Sequence, residues 1–181
     1  MPLSKSTTYT TDYIYSLPEG QRAELIDGVV YDMEPPNRIH QKLVTQLIQS
    51  IGNYIDKNNG SCEVYPAPFA VFLNKDNRTY VEPDISVICD KNKLDDRGCN
   101  GAPDWIIEVI SPSTKRMDYG IKLFKYRTAG VREYWIINPL TNTVNVFDLE
   151  NDEMTDQYDF NSDIPVCIYN DLKINISELL K

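Results

Sequence analysis

Apolar and polar residues alternate along the chain in patterns that predict several strands and two helices. Residues 23–33 (AELIDGVVYDM) are predicted to form two short strands, because Asp27-Gly28 favours a hairpin turn between them. Apolar residues recur every four positions within residues 38–57, which indicates an amphipathic helix. Residues 62–73 are rich in β-forming residues but contain two prolines, which predicts a bent or edge strand.

The middle of the chain predicts the centre of a sheet. Residues 84–90 and 104–110 are apolar and β-branched, which indicates two central strands joined by a polar surface loop over residues 91–103. Residues 118–129 have a helical pattern that Gly130 closes. The remaining predicted elements are paired strands at 131–139 and 143–149, a loop over the acidic stretch 148–163, a short strand near 165–169 and a terminal turn. The order of the elements predicts an α/β fold in which one central mixed β-sheet is flanked by α-helices.

Composition places the chain among ordinary folded proteins. Its 181 residues suggest one domain spanning residues 1–181, with 41% hydrophobic and 25% charged residues. No apolar run approaches the roughly 18 residues of a membrane-spanning helix, and the polar start lacks the apolar stretch of a signal peptide, so we expect a cytoplasmic protein. The cysteines are scattered without zinc-type spacing, and we expect buried free thiols rather than a disulfide or metal site: Cys62, Cys89, Cys99 and Cys167.

The net charge of −9 opposes a nucleic-acid partner at first sight, but the charge is unevenly distributed. Residues 148–163 carry seven acids and no base, and without them the balance is −2. Residues 111–133 hold six bases against two acids. This segregation is compatible with a basic face on an acidic protein, and equally with ordinary solvated charge.

One carboxylate stands out, because Glu108 interrupts the apolar strand WIIEVI and shares a face with Ile106 and Ile110. A buried ionised carboxylate without a partner costs several kcal/mol, so a cationic side chain or a metal ion must lie nearby. If residues 84–90 and 104–110 pair with Ser86 opposite Glu108, Asp84 lies diagonally adjacent on the same face. Two carboxylates at that spacing can converge on one Mg²⁺ ion.

Lys122 is the third candidate, since Asp118, Lys122 and Tyr126 lie four residues apart on one face of the second helix. A lysine beside a metal-bound water can orient the nucleophile or stabilise developing charge. The alternatives are structural: Glu108 paired with Lys122, Asp84 as a strand start, and Lys122 with Asp118 as an exposed helical ion pair.

Several segments over about residues 20–180 form a recognisable set: ELIDGVV, the histidine at a helix start, EPDISVICD, GAPDWIIEVISPST and D-x3-K-x3-Y-x3-GVREYWIINP. This set resembles the Uma-type restriction endonuclease family, formerly a domain of unknown function within the PD-(D/E)xK nuclease superfamily. It implies a restriction-endonuclease-like core and hydrolysis of DNA phosphodiesters with Mg²⁺ or Mn²⁺. The family's PD motif falls on Pro83-Asp84, and its second acid on Glu108.

The same resemblance assigns the other candidate residues. The superfamily lysine expected two positions after Glu108 is replaced by Ile110, and Lys122 on the next helix matches the lysine this family uses instead. Glu24 matches a third carboxylate near the metal, and His40 a general acid/base or phosphate contact. The proposed backbone contacts are Arg116, Lys125 and Arg127.

The sequence leaves two alternatives to a metal-dependent nuclease open. The absence of a lysine at position 110 and the net charge of −9 allow a catalytically degenerate member that binds nucleic acid or protein. A two-carboxylate glycosidase, which needs no metal, is the other. We expect a homodimer, because two related sites cut two strands most simply.

Overall fold

The computed structural model describes residues 7–112, 114–151 and 156–181. The helices are α1 (Thr11–Tyr15), α2 (Arg38–Lys57), α3 (Lys115–Met117), α4 (Leu123–Ala129) and α5 (Ile176–Leu179). The strands of the first half are β1 (Ala23–Ile26), β2 (Val29–Asp32), β3 (Glu63–Pro66), β4 (Val71–Phe72), β5 (Ile85–Ile88), β6 (Leu94–Asp95) and β7 (Gly98–Asn100). Those of the second half are β8 (Trp105–Val109), β9 (Glu133–Asn138), β10 (Thr143–Asp148), β11 (Asp156–Asp159), β12 (Ile164–Pro165) and β13 (Lys173–Ile174).

The predicted mixed sheet is confirmed. Its six strands lie in the order β11-β10-β9-β8-β5-β3, with β8 and β9 parallel and the other neighbouring pairs antiparallel. The β1–β2 hairpin stands apart and turns through Asp27 (φ 51°) and Gly28 (φ 80°), as the Asp-Gly pair predicts.

The central strands are buried on both faces, and each face belongs to a different hydrophobic cluster. Trp105, Ile107 and Val109 of β8 pack into one cluster with the apolar stripe of α2. Ile106 and Ile110 pack into the second cluster, on the helix α4 side, together with Tyr126. Glu108 therefore shares the face of Ile106 and Ile110, as strand alternation predicts.

The second predicted helix contains an irregular turn at its functional part. Residues 118–122 form a π-helical turn between α3 and α4, and Gly130 ends α4 in the left-handed region (φ 93°). Wider turns of this kind are frequent at functional sites. Here the turn contains two charged side chains that are nevertheless buried, Asp118 and Lys122.

Several elements differ from the sequence-based prediction. The segment 91–103 is more ordered than a loop, because β6 and β7 form a small sheet with β4. The end of the acidic stretch forms β11, whose backbone pairs with β10 although its side chains are mostly exposed, while residues 152–155 lie outside the described residues. Helix α1 was missed, because its five residues bury no side chain and leave no periodic signal. Among the described residues, no helix is long and apolar enough to cross a membrane.

The prediction of four free, buried thiols is wrong. Cys62 and Cys89 form a disulfide, with their Cα atoms 3.8 Å apart, because antiparallel pairing of β3 with β5 places the residues beyond Glu63 and Ile88 opposite each other. Cys99 is buried and free as expected, whereas Cys167 is free but exposed.

Candidate active site

Asp84 and Glu108 lie opposite each other on two neighbouring strands. Ile85 pairs with Ile107 in the antiparallel β5–β8 ladder, so the next residues outward, Asp84 and Glu108, are cross-strand partners. The predicted register, with Ser86 opposite Glu108, is wrong by two residues. The backbone N–H of Val109 donates to Oδ2 of Asp84 (2.8 Å), and that of Asp84 donates to Oε2 of Glu108 (3.3 Å). The two carboxylates are thus fixed more closely together than predicted.

Two side chains of the second helix hold the buried Glu108 carboxylate. Nζ of Lys122 and the hydroxyl of Tyr126 both donate to Oε1 of Glu108, at 2.9 and 2.8 Å. Burial raises the pKa of Glu108 to about 8, against the opposing effect of the Lys122 charge. Glu108 is therefore poised between its neutral and ionised forms near neutral pH.

Lys122 is the cation at the centre of a carboxylate cluster. Its Nζ lies 2.8 Å from Oε2 of Glu24 and 3.7 Å from Oδ1 of Asp118, in addition to Glu108. Burial alone would lower the pKa of Lys122, but the surrounding carboxylates raise it well above its usual range. The neighbouring carboxylates thus add to the effect of burial on the pKa of Glu108, and they outweigh the effect of burial on the pKa of Lys122.

Glu24 is held from the side opposite Lys122. Its Oε1 accepts the backbone N–H of Glu82 at 2.9 Å. Glu82 is itself buried and accepts hydrogen bonds from Arg22 and Tyr80. The hydrogen bond from Glu82 therefore connects Glu24 of β1 to the segment that carries Asp84.

His40 contacts the other member of the pair. The side chain of Asn37 caps α2 by accepting the backbone N–H of His40 (3.0 Å), which places the histidine in the first helical turn. Its Nε2 lies 3.0 Å from Oδ2 of Asp84. Its Nδ1 is buried without a hydrogen-bond partner in the described part of the chain. The predicted catalytic residues are therefore brought together: Asp84, Glu108, Lys122, Glu24 and His40.

These residues line one cavity of about 1270 Å³. Arg116 and Lys125, two of the predicted phosphate contacts, also line it, whereas Arg127 is not among the lining residues. Lys125 forms an ion pair of 2.6 Å with Asp27. Besides Lys122, the basic segment 111–133 thus supplies Arg116 and Lys125 to the cavity wall, and Lys125 already has an acidic partner.

Two supporting residues were missed by the sequence reasoning. Tyr126 was placed on the face of Lys122 without a role, although the same four-residue spacing could have assigned it to Glu108. Glu82 precedes Pro83-Asp84, but nothing in the local sequence shows that its N–H binds Glu24, because that contact joins residues 58 positions apart.

The carboxylates fit a hard divalent cation that keeps most of its water. No group of three or more His, Cys, Asp or Glu side chains within the described ranges is arranged to hold a metal ion unaided. Asp84 and Glu108 nevertheless offer two adjacent carboxylates, and Oδ1 of Asp84 accepts no hydrogen bond from the described residues. Four carboxylates surround one lysine cation, Lys122, so negative charge is in excess when all of them are ionised: Glu24, Asp84, Glu108 and Asp118. Mg²⁺ suits such a site, since it binds one or two carboxylates and retains waters.

Comparisons with known proteins agree with this architecture. A solved structure of "a putative nuclease belonging to DUF820" from Anabaena variabilis ATCC 29413 has a TM-score of 0.75 at 22% identity, covering 94% of this chain and 96% of that one. "Uncharacterized protein slr1290" of Synechocystis sp. is 25% identical over 134 residues, 73% of this chain and 68% of that protein. The model of the Uma2 family, described as "Putative restriction endonuclease", matches residues 10–167. Because this match covers most of the chain, the protein belongs to the Uma2 family.

Proposed function

We propose that the protein is a metal-dependent endonuclease that hydrolyses phosphodiester bonds in DNA. The observation that carries the proposal is the pairing of Asp84 with Glu108 across two strands, with Lys122 bonded to Glu108 inside an open cavity. The description of the Uma2 family supports the same class of reaction.

Asp84 and Glu108 would hold the divalent ion, Mg²⁺ or Mn²⁺. The excess negative charge of the cluster supports this assignment, because buried like charges are costly unless a cation compensates them. Such an ion, when bound, supplies a Lewis acid for the phosphoryl oxygens and lowers the pKa of a bound water.

The remaining residues of the cluster position and compensate charge. Lys122 stays protonated and can stabilise the negative charge that develops on the phosphate during attack. Glu24 holds Lys122 through an ion pair, and Tyr126 holds Glu108 through a hydrogen bond. His40 orients Asp84 through Nε2 and can hold a proton near the leaving oxygen.

The basic residues of the second helix are proposed to contact the DNA backbone. Arg116 lies on the cavity wall and is exposed, so it can reach a phosphate directly. Lys125 must first exchange its partner Asp27 for a phosphate. Arg127 would extend the contact beyond the cavity. The homodimer, the cytoplasmic location and the single-domain organisation stay predictions.

A degenerate, non-catalytic member of the family is the second candidate. Its support is the full engagement of Lys122 by Glu24 and Glu108, which is also what a structural ion pair requires. In that case Ile110, at the position of the superfamily lysine, marks the loss of activity, and the fold serves to bind nucleic acid or protein.

A nicking assay separates the two candidates. Purified protein is incubated with supercoiled plasmid and with single-stranded DNA in Mg²⁺, Mn²⁺ or EDTA. We expect cleavage only with a divalent ion, and loss of cleavage in Asp84→Ala and Glu108→Ala. Glu150→Ala removes an exposed carboxylate that pairs with Arg132 away from the cavity and serves as control. Cleavage that survives both cavity substitutions refutes the assignment, and no cleavage together with no calorimetric Mg²⁺ or Mn²⁺ binding favours the degenerate member.

A further inference from the structure

Two groups of residues line the cavity: a charged floor, which is the cluster of Glu24, Asp84, Glu108, Asp118 and Lys122, and an apolar rim. The proposed reaction uses only the residues of the floor. Three apolar side chains of the segment around the π-helical turn line the cavity: Met117, Ile121 and Phe124. Phe124 is 61% exposed and Ile121 41%. On the facing β2 side, Tyr31 and Met33 also line the cavity. Adjacent exposed apolar side chains at a cavity mouth mark a surface that another molecule covers.

The charge of the cavity wall distinguishes between forms of nucleic acid. Eight carboxylates line the cavity, against four cationic side chains: Arg22, Arg116, Lys122 and Lys125. Double-stranded DNA carries about one negative charge per 1.7 Å of axis, and each single strand about one per 3.4 Å. A duplex therefore meets about twice the electrostatic repulsion per unit length that a single strand meets.

The rim also requires a ligand with an accessible apolar surface. Bases in a duplex are stacked inside and present phosphates, sugars and groove edges to a protein. An unpaired base offers a flat π-face, which stacks on aromatic side chains whatever its identity. Phe124 is the most exposed aromatic side chain among the residues that line the cavity.

We propose that the ligand of this cavity is a nucleic-acid strand with unpaired bases, one of which stacks on Phe124 while its phosphate lies over the carboxylate floor. The inference rests on the proposed function insofar as the bound strand is cleaved. The stacking contact itself is a binding property that does not depend on cleavage. The substrate class would then be single-stranded, frayed or branched nucleic acid.

The test is a binding titration in Ca²⁺, an oxygen-binding cation that compensates the carboxylate floor, with a gel to verify that the probe stays uncleaved. The probes are a 20-nucleotide DNA strand containing 2-aminopurine, its perfect duplex, and an RNA strand of the same sequence. The proteins are the full chain and its Phe124→Ala, Phe124→Trp and Leu140→Ala variants. Leu140 is the matched control, because it is 71% exposed and apolar but is not among the residues lining the cavity.

We expect the single strand to bind at least tenfold more tightly than the duplex, with quenching of 2-aminopurine. Phe124→Ala should weaken single-strand binding by about ten- to a hundredfold, the usual effect of removing one stacking partner. Phe124→Trp should retain binding, and Leu140→Ala should change it less than twofold. The inference is supported if either single strand, DNA or RNA, binds more tightly than the duplex. The difference in affinity between the DNA strand and the RNA strand then shows which sugar the cavity prefers.

Three results overturn the inference: equal or tighter binding of the duplex, no binding of either strand form, or unchanged strand affinity in Phe124→Ala. If Phe124→Ala leaves strand binding intact and instead abolishes self-association in light scattering, the rim is a protein interface. Metal-dependent nicking of duplex plasmid without a preference for unpaired strands would refute the stacking site and leave the proposed nuclease function standing.

Discussion

Replacing Tyr126 by phenylalanine tests whether a hydrogen bond to an ionised, buried carboxylate stabilises the site. The substitution removes the hydroxyl that donates to Oε1 of Glu108 at 2.8 Å and leaves the ring, whose centroid lies 4.9 Å from that of Tyr134. Hydrogen bonds to charged groups contribute about 1.5–3 kcal/mol, against about 0.5–1.5 kcal/mol for neutral pairs. We therefore expect Tyr126→Phe to lower the free energy of unfolding by about 1.5–3 kcal/mol.

Tyr134→Phe is the matched control. Tyr134 is equally buried and belongs to the same aromatic pair, but its hydroxyl donates to the backbone carbonyl of Asp118 at 3.3 Å. A neutral acceptor at this length predicts a loss of about 0.5–1.5 kcal/mol. The difference between the two variants isolates the charge of Glu108.

Urea unfolding in EDTA at two pH values measures this difference. Because the pKa of Glu108 is raised to about 8, its carboxylate is ionised at pH 9 and mostly protonated at pH 6. The excess loss in Tyr126→Phe over Tyr134→Phe should be present at pH 9 and shrink at pH 6. Equal losses in the two variants at pH 9 would show that Glu108 does not depend on Tyr126.

Three further predictions concern the charge of the cluster. Lys122→Met removes its central cation and should lower the free energy of unfolding, measured in urea, by about 3–5 kcal/mol. Adding Glu24→Gln should recover part of this loss. If Lys122→Met leaves the free energy of unfolding unchanged, the ion pair is dispensable for stability. The pKa of Glu108 rises on folding from 4.5 to about 8, so the folded state binds this proton more tightly than the unfolded state. The stabilisation by the bound proton is therefore fully present below pH 4.5 and is lost as pH rises towards 8. Glu108→Gln should flatten the plot of unfolding free energy against pH over this range, and an unchanged slope would contradict the shifted pKa. Mg²⁺ at a hundred times its dissociation constant should raise the free energy of unfolding by about 2.7 kcal/mol. Asp84→Asn should abolish this stabilisation. If Mg²⁺ still stabilises the Asp84→Asn variant, the ion binds elsewhere.

The fold could be predicted where local periodicity determines it. Helix α2 follows its four-residue apolar spacing, and the central strands follow their runs of β-branched residues. The face of Glu108 was correct for the same reason. The β5–β8 register was not, because a shift of two residues preserves every side chain's face and so leaves the hydrophobic pattern unchanged.

Other features depend on contacts between segments that are distant in the chain. The Cys62–Cys89 disulfide joins residues 27 positions apart, and only the adjacency of β3 and β5 brings them together. The bond from the N–H of Glu82 to Glu24 likewise depends on how the β1–β2 hairpin meets the segment before β5. Only the family resemblance marked Glu24 as a candidate, and its partners required the tertiary structure.

The central claim is that Asp84 and Glu108 together bind a divalent ion beside Lys122. A crystal of the protein soaked in Mn²⁺, with anomalous scattering measured at the manganese edge, tests it most directly. The account predicts one anomalous peak within coordination distance of both carboxylates, with the Lys122 ammonium nearby and water in the remaining positions. No peak at this pair, or a peak held by other residues, would contradict it.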